Sequence, residues 1–234
     1  MSSVDQLKAW IVHFYTASGG VCAFMALLAI AERQWDQSMT WLLICLFIDG
    51  SDGFLARRWQ VRKVLPLMDG EQIDHVIDFV TYALVPTYFI YSAGLVPSQL
   101  SLLTATYILM VSAIYYGKKG MVSDQQHFNG FPVLWNLVVF YLFFVFQFSL
   151  WINFIFILGF GILHFIPIKV SYPSHNLRRS KFPFVLSFVM IAVLLIILYI
   201  YPQRHMLLTG IAMAAFAYFI YLSIKYTWFQ PPTS

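Results

Sequence analysis

The chain is poor in charge. Only 10% of its 234 residues are Asp, Glu, Lys or Arg, against roughly 25% in a soluble domain. That excludes an ordinary soluble enzyme and a polar, unstructured chain. Cysteine is scarcer still. Cys22 and Cys45 both lie inside apolar runs, so no disulfide framework is implied and both read as buried free thiols. The apolar runs are continuous rather than alternating, which argues against a transmembrane barrel. A polar start and the lack of a small-residue cleavage site behind a short apolar region predict no cleavable signal peptide. Internal repeats and a low-complexity tail are also lacking.

What remains is apolar and aromatic: 60% of residues are hydrophobic and 19% are Phe, Trp or Tyr. Several runs reach the roughly 20 residues that span a bilayer. The expected fold is therefore an all-α integral membrane bundle, a single membrane domain over residues 1–234 with about eight transmembrane helices. The runs lie at about 12–31, 39–57, 72–92, 99–116, 131–147, 150–168, 182–201 and 205–225. The weakest separation, at 147–149, falls between two aromatic runs. Ahead of the first run, Val4, Leu7 and Ile11 recur at helical spacing beside Trp10, which suits a short interfacial helix over 1–11. Residues 226–234 read as a tail.

Cytoplasmic loops collect Lys and Arg. With the N-terminus placed on one side, that side holds 12 basic residues and the other only Arg33 and Arg204. Merging 131–168 into one span would move the basic 169–181 cluster across and spoil the bias. Eight spans with both termini cytoplasmic follow, in a bacterial inner membrane. The net charge of +4 is used up by this topology, and no nucleic-acid partner is inferred.

Six of the ten acidic residues crowd into thirty positions, DGSDGFLARRWQVRKVLPLMDGEQIDHVID, from Asp49 to Asp78. Asp49 and Asp52 are three apart and Asp52 and Ala56 four apart, so they share a helix face. Gly70, Asp74 and Asp78 step by four and share a face of the next helix. A short linker makes the two helices antiparallel neighbours with facing carboxylates at the cytoplasmic surface. Unpaired, each carboxylate would cost on the order of 2.5–3.5 kcal/mol in hydrocarbon. A divalent cation removes that cost and their mutual repulsion. All-oxygen ligands favour Mn²⁺, Mg²⁺ or Ca²⁺ over thiophilic metals. Four carboxylates suit two ions about 4 Å apart, an arrangement used for in-line displacement at phosphorus. Gly53, Ala56 and Gly70 would let a phosphate approach the ions, and Arg57 would hold it as a planar fork. The alternative is a set of solvated helix-end acids paired with Arg57, Arg58, Arg62 and Lys63.

The eight positions Asp49, Asp52, Gly53, Ala56, Arg57, Gly70, Asp74 and Asp78 resemble the signature of the CDP-alcohol phosphotransferases, integral membrane enzymes of phospholipid synthesis. The interval from Arg58 to Asp69, twelve residues, is longer than that signature's usual gap. This departure, with HFYTASGG near the start and FNGFPVLWN after the fourth run, resembles the phosphatidylcholine synthase branch. His75 stands where asparagine is expected in that branch. The resemblance implies Asp49, Asp52 and Asp74 as metal ligands, and Asp78 as both ligand and general base. It implies CDP contacts from Gly53, Ala56, Arg57 and Gly70, two Mn²⁺ or Mg²⁺ ions, and a homodimer. The implied reaction joins CDP-diacylglycerol to choline and releases CMP. Serine, glycerol phosphate or inositol phosphate are alternative acceptors, and a divalent-metal transporter is a reading of another class.

Choline asks for aromatic faces around its quaternary ammonium. Tyr82 lies one turn beyond Asp78. Tyr115 ends the fourth run beside Tyr116, and Asn129, Trp135 and Asn136 surround the start of the fifth. Tyr82, Tyr115, Asn129, Trp135 and Asn136 are the expected choline contacts. His13, His127, His164 and His205 read as interfacial or core groups rather than ligands.

Overall fold

The structure is a computed structural model that describes residues 3–118, 122–123, 127–171 and 182–229. Helices α1 (Ser3–Ala31) and α2 (Trp35–Arg58) form an antiparallel hairpin. Its turn passes through Arg33 in the left-handed region, at φ 60°. The basic stretch after α2 folds back as α3 (Val61–Val64), entered through Gln60 at φ 49°. Val61 packs on Ala9 and Val12 of α1, with Leu55, Ala56, Trp59, Val64 and Leu65 around them. The linker that looked too long for its signature is therefore a folded clamp over α1.

Asp69 caps α4 (Gly70–Asp78): its Oδ1 accepts from the backbone N–H groups of Glu71 and Gln72 at 3.1 and 3.2 Å. The helix continues through a π-helical stretch, Phe79–Leu84, into α5 (Val85–Ser92). Pro86, in the first turn of α5, has no N–H to give the carbonyl four residues back, and the widened turn lies where that bond is missing. α6 (Ser101–Tyr116), α7 (Trp135–Phe140) with a π-helical extension Tyr141–Phe146, and α8 (Leu150–Leu163) follow. α9 (Phe182–Ile200) and α10 (Met206–Ile224) complete the order, the last extended as a π-helix over Lys225–Phe229.

Among the described residues, four helices are long and apolar enough to cross a membrane: Ser3–Ala31, Trp35–Arg58, Ser98–Tyr116 and Met206–Phe229. Trp135–Phe146, Leu150–Leu163 and Val185–Ile200 are shorter apolar helices. The architecture is that of a helical membrane protein. The separation at 147–149 is present, because Gln147 turns left-handed at φ 49° and ends the helix. α1 shows no break between 3–11 and 12–31, so those two expected elements are one helix. At the other end helix persists to Phe229, past the expected start of the tail. Most of the basic 169–181 cluster, Arg178 and Arg179 included, lies outside the described residues, as does Lys119.

An all-α expectation is amended by a small antiparallel sheet of order β1-β2-β3, made of β1 (Val122–Ser123), β2 (His127–Asn129) and β3 (Lys169–Ser171). Phe128 pairs with Val122 on one side and Val170 on the other. Two or three residues are too short to display alternation, so this pairing leaves no sequence signal. The main core gathers Phe89, Ile108, Trp135, Phe140, Ile157 and Leu194, all fully buried. Large apolar side chains such as Phe14, Phe24, Phe47 and Leu102 point outward, as lipid-facing positions do.

Candidate metal centre

Helix α1 organises the acidic site. It packs along α2 and also against α4, while α2 and α4 scarcely approach each other through their backbones. The two acid-bearing helices thus meet through their side chains, each held against α1. Two glycines set that arrangement. A Cβ on Gly19 would stand 2.8 Å from Cγ2 of Ile77, and one on Gly20 would stand 3.2 Å from its Cδ1. Ile77 of α4 therefore sits against bare α1 backbone, and its neighbours Asp74 and Asp78 are brought toward α2.

Asp49, Asp74 and Asp78 each place a carboxylate oxygen within 4.8 Å of the others. Across the two helices Asp49 adjoins Asp78 and Asp52 adjoins Asp74, the order antiparallel helices require. Asp52 stands outside the three-oxygen group and is almost fully buried. Each α2 carboxylate has one oxygen already engaged. The Tyr82 hydroxyl donates to Oδ2 of Asp49 at 2.7 Å, and the Thr16 hydroxyl donates to Oδ2 of Asp52 at 2.7 Å. Hard, anionic, convergent oxygens fit a divalent cation, and the three-oxygen group could hold one.

The small residues have acquired tenants. The Arg57 guanidinium lies over Gly53, its Nη1 3.3 Å from where a Cβ would be. There it stays exposed and within electrostatic reach of Asp52. Gly70 faces the His13 imidazole, whose Cε1 is 3.0 Å from the Cβ position. Ala56 packs into the clamp formed by α3 on α1. Gly53 and Arg57 thus border the acids in the open, whereas Gly70 and Ala56 serve packing in this structure.

The expected choline contacts do not form one cage. Tyr82 is 3% exposed, with its hydroxyl committed to Asp49. Tyr115 and Trp135 close instead around His164, with ring centroids at 5.2 and 5.5 Å, and Phe131 stacks on the same imidazole at 5.7 Å. His164 Nδ1 meets the Phe131 carbonyl at 2.6 Å, and Trp135 donates to Ser112 Oγ at 2.9 Å. Asn129 offers its carbonyl to Tyr115 and Lys118, and Asn136 is buried with its Oδ1 on the N–H of Leu137. Core packing claimed these rings because each carries an apolar face with a polar tip that finds a local partner.

Besides Tyr82, Tyr116 stands beside the acids. It meets His75 and Phe79 edge-on at 6.2 and 6.1 Å, and both flank Asp78 on one rod. Thr16 was missed altogether, although its signal was present in HFYTASGG. Five residues of that run touch an acid-bearing helix. His13 meets Gly70, the Tyr15 hydroxyl lies 2.7 Å from Ser51 Oγ, Thr16 holds Asp52, and Gly19 and Gly20 receive Ile77.

No protein-family model matches the chain. Curated proteins do. The phosphatidylcholine synthase of Mesorhizobium japonicum is 42% identical over 177 residues, which are 76% of this chain and 66% of the relative. That of Brucella melitensis is 40% identical over 75% of this chain and 63% of its own length. The chain thus matches just under two thirds of these two relatives. The phosphatidylcholine synthase of Pseudomonas aeruginosa is 34% identical over 220 residues, 94% of this chain and 92% of the relative. That likeness runs nearly end to end and takes in the acidic helices, the glycines between them and the aromatic half alike, and by it the chain belongs to the phosphatidylcholine synthase family.

Proposed function

We propose that the chain transfers the phosphatidyl group of CDP-diacylglycerol to choline and releases CMP, with Mn²⁺ or Mg²⁺ as cofactor. The observation that carries this reading is the meeting of Asp49, Asp74 and Asp78 oxygens from two helices within 4.8 Å, with Asp52 next to them. Asp49, Asp52, Asp74 and Asp78 are the ligands of a two-ion site. The ions, when bound, neutralise the diphosphate and stabilise the departing CMP. Arg57, exposed beside Asp52, binds a phosphate of the nucleotide. Asp78 takes the proton of the choline hydroxyl as its oxygen bonds to the lipid-side phosphorus and the bond from that phosphorus to the CMP oxygen breaks. The quaternary ammonium rests on the rings of Tyr116, Phe79 and His75, one step from that base.

The reading places the chain in a bacterial inner membrane as a homodimer. It has eight spans, a cytoplasmic site and both termini cytoplasmic, supported by the distribution of Lys and Arg. The amphipathic start of α1 lies in the membrane interface.

Purified protein in detergent, given CDP-diacylglycerol and labelled choline with Mn²⁺ or Mg²⁺, should form labelled phosphatidylcholine and CMP in equal amounts. CMP release with serine, glycerol phosphate or inositol phosphate but not choline would transfer the reading to another acceptor. Metal flux into liposomes without nucleotide, and no CMP with any alcohol, would replace it with a transporter.

A further inference from the structure

We infer that Thr16 and Tyr82 are positioning residues that fix the two α2 carboxylates, so that α2 supplies a rigid half of the ion seat and α4 a free half. The inference rests on the metal reading above. Both hydroxyls are buried, Thr16 at 7% exposure and Tyr82 at 3%. They come from different elements, α1 and the π-helical stretch after α4, and converge on a third helix. Each takes one oxygen, Oδ2 of Asp52 and Oδ2 of Asp49, at 2.7 Å. The Thr16 hydroxyl has one other acceptor within reach, the Val12 carbonyl at 3.3 Å, and the shorter contact is the stronger. Removing one oxygen from play leaves the other to meet a cation and fixes the plane of the carboxyl group.

Among the described residues no Ser, Thr or Tyr hydroxyl donates to Asp74 or Asp78, which meet instead the α2 carboxylates opposite, Asp52 and Asp49. That difference suits their tasks. A carboxylate that must accept and pass on a proton works best with an oxygen unencumbered, whereas one that only holds an ion gains from restraint. The π-helical stretch is what aims Tyr82 at α2. A widened turn rotates the residues that follow it, and such turns recur at functional sites.

Mn²⁺ titrated into the detergent-solubilised protein, read by loss of the free-ion electron paramagnetic resonance signal, tests this without turnover. Tyr82→Phe and Thr16→Val should each weaken Mn²⁺ binding by about 10–100-fold, the usual effect of losing an outer-shell partner. Thr16→Ser keeps the hydroxyl and should restore binding, including where Thr16→Val fails to fold. Tyr15→Phe removes a neighbouring hydroxyl that touches Ser51 and no carboxylate, and should leave affinity unchanged. Unaltered Mn²⁺ affinity in folded Tyr82→Phe and Thr16→Val, or an equal loss in Tyr15→Phe, overturns the positioning roles while the ion site stands. Failure of the unsubstituted protein to bind Mn²⁺ overturns the site reading and this inference with it.

Discussion

The two halves of the molecule treat their polar groups in opposite ways. Around α1, α2 and α4, carboxylates are gathered toward one another, although like charges repel. Around His164, three aromatic rings, a serine and a backbone carbonyl close on each other until almost nothing is open. The first arrangement costs stability unless a ligand of opposite charge completes it. The second is closed by packing, and only single groups such as His164 Nε2 are left without a hydrogen-bond partner. A site is marked by what is left unsatisfied in common, and aromatic content alone says little about where a cation binds.

The largest test of that contrast is Asp78→Asn. It removes the proton acceptor while keeping the shape, and CMP release should fall by about 10²–10⁴-fold. Turnover near that of the unsubstituted protein would assign the proton to another group. Next comes His164→Phe in the closed half. It deprives the Phe131 carbonyl of its partner and should lower unfolding stability by about 1–3 kcal/mol. The rate of CMP release per folded molecule should stay unchanged, and a fall in kcat would show that the closed half takes part in chemistry. A smaller effect separates two adjacent tyrosines. Tyr116→Ala should raise the KM for choline about tenfold, or roughly 1.4 kcal/mol, within the range of a desolvated cation–π contact. The KM for CDP-diacylglycerol should hold steady. Tyr115→Phe should move neither, and equal sensitivity of the two positions would return choline to the cage around His164.

The acids were legible because their spacing is a property of single helices. Steps of three and four put Asp49 with Asp52 and Asp74 with Asp78 on shared faces whatever the tertiary fold. The separation at Gln147 was legible from charge, since the basic loops fall on one side only if the chain turns there. What reaches across helices was not. Thr16 has no charge and no periodic mark; the run HFYTASGG singles it out, but does not say that it reaches a residue 36 positions away. Tyr82 was placed near the acids by its turn, but whether it presents ring or hydroxyl depends on the π-helical geometry and on α2. Gly70 read as an opening for substrate, and only the packing of α1 shows His13 in that space. The longer linker read as a departure from the signature, and its apolar contacts with Ala9 and Val12 explain it.

Gly19 and Gly20 have a further consequence. How far α4 stands from α1, and so how wide the seat between the facing acids is, depends on two absent methyl groups about a turn from Thr16. Gly19→Ala should push Ile77 outward and lower thermal stability by about 1–3 kcal/mol. Because small and large hard cations are told apart by the room and flexibility offered them, the same change should tilt binding from Mg²⁺ toward Ca²⁺. Ion preference in this protein is then a matter of how closely two helices may lie, decided where there is no ligand at all.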